Sequence, residues 1–171
     1  SDGTKVVTIH SQWGKEDYAA RLWEVSTGEK IHTFESHTDY ISSVAFSLDG
    51  STVLTQGQDD TVRLWNAETG EQTHVQVHES GEPHGTLTCA TLSPEATQIV
   101  TGHREGDNYT ARLWDAATGA QLQSFDGHQD IVTDVEFSPD GEYLLTGEYA
   151  GPARLWNIAT GEQLRSFEGF P

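Results

Sequence analysis

The chain has 171 residues, 35% of them hydrophobic, with 17 glycines, 27 acidic and 9 basic side chains and a formal charge of −18. A field of that sign repels phosphate backbones and anionic membranes, so nucleic acid and membrane surfaces are not expected partners, and the acidity serves solubility or a basic partner. The one cysteine, Cys89, cannot form an internal disulfide and reads as a small buried hydrophobe, while no apolar run approaches the roughly 18 residues of a spanning helix. A cytoplasmic location is expected, although an opening Ser1 leaves room for a targeting segment upstream.

Arg-Leu-Trp occurs four times, ending at Trp23, Trp65, Trp114 and Trp156, at intervals of 42, 49 and 42 residues. Self-similarity at that period is the mark of stacked repeat units. A Ser-x-Asp-Gly mark precedes each copy: Asp2-Gly3, Asp49-Gly50, the degraded Glu95-Ala96 and Asp140-Gly141. Asp-Gly between apolar runs signals a hairpin, because glycine tolerates the positive φ such turns require. The marks delimit sequence units 1–46, 47–92, 93–137 and 138–171 of a single repeat segment.

The second unit is the cleanest. Thr52–Gln56 alternates as a strand, Gly57–Asp60 turns, Thr61–Asn66 is a second strand, Glu68–Glu71 turns again, and Gln72–Val77 is a third strand. A further strand joins successive units, as Ile41–Ser47, Leu87–Ser93 and Val132–Ser138. The spacing therefore predicts an all-β chain of four-stranded antiparallel meanders.

These residues resemble the WD-repeat (beta-transducin-like) family of β-propellers, over essentially the whole chain. The matching signature is clearest in Gly127-His128, Val135–Gly141 and Leu145-Thr146-Gly147, followed by Leu155-Trp156. The Thr-Gly-Glu and Arg-Leu-Trp-Asp spellings resemble repeats appended to bacterial signalling or nucleotide-driven switch proteins. The resemblance implies a buried hydrogen-bonded set of His, strand Ser or Thr, turn Asp and Trp in each blade. Carried over, it comprises His37, Thr55, Asp59 and Trp65 in unit two, and Asp17 and Trp23 with Thr8 in unit one. In unit three it comprises Trp114, with Asn108 at the Asp position and Thr101 and His84 beside it. In unit four it comprises His128, Thr146 and Trp156. Ala150 stands where unit four should have its Asp, so that blade is expected to be the least firmly pinned.

The resemblance also implies an innermost strand a and an outermost strand d in each blade. The chain then opens on strand b of blade one and ends on strand d of blade four, giving 15 strands and four blades within the propeller range of 4–8. A four-blade arc is expected to belong to a larger propeller, or to pair with a second copy to complete a ring.

The a-to-b and c-to-d turns are short and uniform, whereas the opposite face varies. From the Asp-Gly position to Trp is 15 residues in units two and four, 20 in unit one and 18 in unit three. The additions fall in Ser11–Glu16 and His103–Asp107, and the Val77–His84 connection lies on the same face. Such elaboration marks the expected protein- or peptide-binding face, with Trp13, Lys15, His103, Arg104 and Tyr149 as candidates. No nucleotide loop, hydrolase elbow or zinc-protease motif occurs, so no enzyme and no cofactor is expected. Two other possibilities stand beside binding: a small-ligand or enzymatic site in the central channel built on Ser43, Asp134 and Glu136, or an architectural, excised or designed segment. A metal site at His74, His78 and His84 is not expected.

Overall fold

The computed structural model describes residues 3–9, 17–77 and 87–168. These hold fifteen strands: β1 (Lys5–Ile9), β2 (Ala19–Glu24), β3 (Lys30–Glu35), β4 (Ile41–Phe46), β5 (Thr52–Gly57), β6 (Thr61–Asn66), β7 (Gln72–Val77), β8 (Leu87–Leu92), β9 (Gln98–Glu105), β10 (Asn108–Asp115), β11 (Gln121–Phe125), β12 (Val132–Phe137), β13 (Tyr143–Glu148), β14 (Ala153–Asn157) and β15 (Gln163–Phe167). They form one three-stranded sheet, β1-β2-β3, and three four-stranded sheets in sequence order, all antiparallel. The first blade thus lacks an innermost strand among the described residues, as the family resemblance implies.

Each c strand carries Arg-Leu-Trp, and in every blade the register slips at the Leu-Trp step where the c strand pairs with d. A bulge at a fixed place re-aims the side chains beyond it, so the Trp sits alike in all four blades. The c-to-d turns also repeat: Gly28, Gly70, Gly119 and Gly161 have φ between 71° and 76°. Each donates its N–H at 2.9 Å to the carbonyl four residues before it. At the a-to-b turns Gly50 and Gly141 likewise take positive φ, and so does Ala96 at +56°, without glycine's freedom.

The chain divides into two compact units, Ser1–Gly85 and Thr86–Pro171, each holding two blades and one core. In the first, Ala20, Leu22 and Phe34 of blade one meet Ile41, Val53, Trp65 and Ala67 of blade two. In the second, Cys89, Val100, Leu113 and Phe125 of blade three meet Val132, Phe137, Leu144, Trp156 and Ile158 of blade four. Burial pushes the Cys89 thiol up to about 11, consistent with a hydrophobe rather than a nucleophile.

Candidate functional site

The b-to-c turns that would form a binding face are held by side chains beneath them, and the blades do this differently. One contact is constant. The Trp indole N–H donates to a b-strand threonine in every blade: Trp23 to Thr8 at 2.8 Å, Trp65 to Thr55 at 2.9 Å, Trp114 to Thr101 at 2.7 Å and Trp156 to Thr146 at 3.0 Å.

In blade two the network runs to its end. The indole N–H can only donate, so Thr55 Oγ1 accepts it and its own hydroxyl donates to His37 Nε2 at 2.8 Å. His37 Nδ1 is left facing both oxygens of Asp59 at 3.0 Å. Asp59 also accepts the Thr38 backbone N–H at 2.9 Å and the Thr61 hydroxyl at 2.7 Å. Burial alone would raise the Asp59 value, but the hydrogen bonds from His37, Thr38 and Thr61 outweigh it and hold the carboxyl far below the usual range. Gly57 makes room for this: a Cβ there would stand 2.4 Å from His37 Nδ1 and 2.5 Å from Asp59 Oδ1.

Blade four puts Glu148 at the strand position of Gly57, two residues after the threonine in each case. Glu148 Oε2 accepts the Gln129 N–H at 2.8 Å, doing for the residue after His128 what Asp59 does for Thr38. Its other oxygen takes Arg154 Nε at 2.5 Å, an ion pair with almost no exposed surface. The expected loss at a histidine ring nitrogen is found in this blade, while the turn backbone gains a different pin. Ala150 removes the turn carboxylate, but a strand carboxylate replaces the half of its role that caps the backbone. The other half is missing: His128 Nε2 meets Thr146 at 2.8 Å, while buried Nδ1 has no hydrogen-bond partner. Burial lowers the His128 value, with the Glu148 and Arg154 charges pulling in opposite senses. Glu148 itself is raised by burial but lowered further by Arg154 and the Gln129 N–H, so it stays ionised.

Blade three places His103 at the same position. Its Nε2 lies 2.7 Å from Thr101 Oγ1 and its ring packs on Trp114. His103 is only 1% exposed, which corrects its assignment to the binding surface. The reason is that the additional residues lengthen the hairpin instead of forming a loop. β9 and β10 reach eight residues each and turn at Gly106-Asp107, with Asn108 opening β10 opposite Glu105. Asn108 is exposed and does not occupy the role of Asp59. In blade one, Asp17 pairs with Arg21 at 2.6 Å.

Of the remaining surface candidates, Arg104 is exposed on the extended hairpin, where neighbouring Glu105 binds Arg112 at 2.8 Å. Tyr149 is 78% exposed in the b-to-c turn of blade four. Trp13, Lys15 and His84 lie outside the described residues, as does His78. Among the described residues no group of three His, Cys, Asp or Glu side chains is placed to hold a metal ion. Asp134 and Glu136 are both exposed on β12, and burial and the Asp134 charge raise Glu136, whereas Ser43 is half-buried in the other unit. A cleft of about 580 Å³ opens between blades three and four beside the c-to-d turn, lined by Leu113, Leu122, Gln123, Glu142, Asn157 and Ile158. Among the described residues no helix is long and apolar enough to cross a membrane.

The sequence profile described as "WD domain, G-beta repeat" matches residues 28–66, 73–115 and 119–157. The chain is 31% identical to "Eukaryotic translation initiation factor 3 subunit I" of Emericella nidulans, a match covering 81% of this chain and 44% of the other. It is 27% identical to "U3 small nucleolar RNA-associated protein 15 homolog" of Xenopus laevis, covering 78% of this chain and 25% of the other. It is 28% identical to "Serine-threonine kinase receptor-associated protein" of Rattus norvegicus, covering 80% and 36%. The chain therefore spans less than half the length of these relatives. With the profile matched over most of its length and the blades built as described, the chain belongs to the WD-repeat family.

Proposed function

We propose that the chain is a non-catalytic scaffold that holds a protein or peptide on the face formed by its b-to-c turns and d-to-a connections. The hairpin of blade three carries the proposal. Its strands are longer than those of the other blades, and Arg104, Glu105 and Asp107 are exposed at its end. The c-to-d turns, by contrast, keep one geometry in all four blades. A constant scaffold with one elaborated side is the arrangement that binding surfaces on repeat proteins take. Two of the relatives' names support the reading, one a subunit of a translation initiation factor and the other a receptor-associated protein. The formal charge of −18 favours a protein partner over nucleic acid.

Arg104 supplies a cation on an acidic surface, and Tyr149 an exposed aromatic ring, with Trp13 and Lys15 as the proposed additions from blade one. Replacing Arg104 and Tyr149 together by Ala, and Trp13 by Ala separately, should remove co-purifying proteins from the set recovered with the wild-type chain. The thermal midpoint should not move, because neither described residue is buried. Recovery of the same proteins in the same amounts with all three positions replaced would place the binding face elsewhere.

A further inference from the structure

Each compact unit holds one seam between two blades, and at the c-to-d end the two seams differ. In Ser1–Gly85, His32 on β3 reaches across, and its Nε2 donates to the Glu68 carbonyl of blade two at 2.8 Å. Ile31 beside it packs on the core of the unit. Ser51, whose carbonyl accepts the Ala67 N–H, donates its hydroxyl to Asp49 at 2.8 Å. The polar side chains of this seam are thus satisfied inside the unit, and its aliphatic residue is covered.

In Thr86–Pro171 the same places are held by Gln123, Leu122 and Glu142, the last accepting the Ile158 N–H on its carbonyl as Ser51 accepts that of Ala67. Gln123 accepts the Ser124 N–H on its own Oε1 at 3.1 Å, and among the described residues it makes no hydrogen bond across to blade four. Leu122 is 49% exposed. Here the cleft of about 580 Å³ opens, a volume within the range of ligand sites. Leu113, Leu122 and Ile158 give it an apolar floor, and the amides of Gln98, Gln123 and Asn157 stand on its walls. Asn157 Oδ1 is taken by the Thr160 N–H at 2.9 Å. Among the described residues none of the three amide nitrogens has an acceptor, and the Glu142 carboxylate has no donor. Glu95 Oε2 would stand 3.7 Å from a Cβ on Gly141, which puts a second carboxylate at the rim. No lysine or arginine lines the cleft among the described residues, and Arg112 and Arg154 are engaged by Glu105 and Glu148.

We propose that this cleft holds an extended segment of a partner protein that brings a lysine or arginine side chain to Glu142. The three amide N–H groups suit the carbonyls of a peptide backbone. The aliphatic stem of the basic residue covers Leu122 and Ile158, while its charged head reaches Glu142 and Glu95. Other occupants lack a part of this match. A polyamine has no carbonyl for the amides, and a phosphate group would meet carboxylates. The cleft lies at the c-to-d end of the blades, so it stands independently of the b-to-c face proposed above.

A nuclear magnetic resonance titration of the isotope-labelled 171-residue chain tests this, with an N-acetylated, C-amidated hexapeptide of alternating alanine and arginine as the probe. The backbone amide signals of Leu122, Gln123, Glu142 and Ile158 should shift together and saturate below about 5 mM peptide. Glu142→Gln should weaken binding roughly tenfold, through loss of a charge-assisted contact. Glu68→Gln, on a turn of the other unit, should not weaken it. Leu122→Ile combined with Gln123→His copies the closed seam of Ser1–Gly85 and should remove binding while keeping the wild-type circular dichroism. Absence of shifts at those signals up to about 5 mM peptide overturns the proposal. So does equally tight binding of spermidine, equal weakening by Glu68→Gln, or unchanged binding to the chain with the copied seam.

Discussion

Blades two and four use the same Trp-Thr-His start and then diverge. Blade two ends in a turn carboxylate that serves both a histidine ring and a backbone N–H. Blade four serves the backbone N–H from a strand glutamate, balances it with Arg154, and leaves His128 Nδ1 unpaired. The difference follows from two positions: the turn site, Asp59 in blade two and Ala150 in blade four, and a strand site held by Gly57, His103 and Glu148 in blades two, three and four. What stands there decides whether the pin comes from the turn, from a ring on the strand itself, or from an ion pair. The lesson is that a repeat can lose a signature residue and still hold its turn, provided a neighbour reaches the same N–H.

The largest effect should come from breaking the blade-four ion pair. Arg154→Ala leaves a Glu148 side chain with no exposed surface and no cation, and should cost about 3 kcal/mol or more in urea unfolding. Asp59→Asn in blade two keeps the shape but weakens hydrogen bonds to a charged acceptor, and should cost about 2 kcal/mol. If the Asp59 change costs more than the Arg154 change, the turn carboxylate is the stronger pin and the ranking is reversed.

Acid should separate the two units by a smaller amount. Because burial holds His128 below its ordinary 6.5, the unfolded chain binds that proton first. The stability of Thr86–Pro171 should therefore fall as pH drops below about 6.5, by at most about 1.4 kcal/mol per pH unit, until the folded ring also protonates. His128→Gln should flatten that slope in unfolding curves at several pH values. The lowered values of Asp59 and Glu148 act later: their stabilisation is present above the ordinary carboxylate range and fades as pH falls through and below it. The smallest change lies outside the pins. Ala96→Gly relieves a positive φ at a turn where Gly50 and Gly141 do the same work, and should raise stability by about 0.5–1 kcal/mol in thermal melts.

Strand order was legible from the period-two runs and the turn marks between them, whereas the Trp–Thr contact was implied by the family resemblance. The register places Thr8, Thr55, Thr101 and Thr146 opposite the arginine of each Arg-Leu-Trp. The His37–Asp59 arrangement was legible through the family resemblance. His103 was not, because three additional residues ahead of Trp114 read equally well as a loop or as a longer hairpin. Its 1% exposure and the contact with Thr101 show the ring placed inward. Glu148 escaped because the expected carboxylate was sought in the turn, two residues later. A signal was present: a charged residue two positions after the threonine, with Arg154 six residues beyond it, in a strand whose counterpart in blade two has glycine. The face candidates Trp13 and Lys15 lie outside the described residues, and Arg104 and Tyr149 are exposed without contacts that name a partner.

A double-mutant cycle on blade four tests most directly that the strand position and the turn position together select the pin. Glu148→Gly alone should cost about 3 kcal/mol, and Ala150→Asp alone should help little, since the backbone N–H is already taken by Glu148. Combined, the two changes rebuild the Gly57 and Asp59 arrangement beside His128. The double variant should then be more stable than the sum of the single changes by about 1.5 kcal/mol or more. Additivity within about 0.5 kcal/mol would show that the two positions do not share the turn, and would contradict the account.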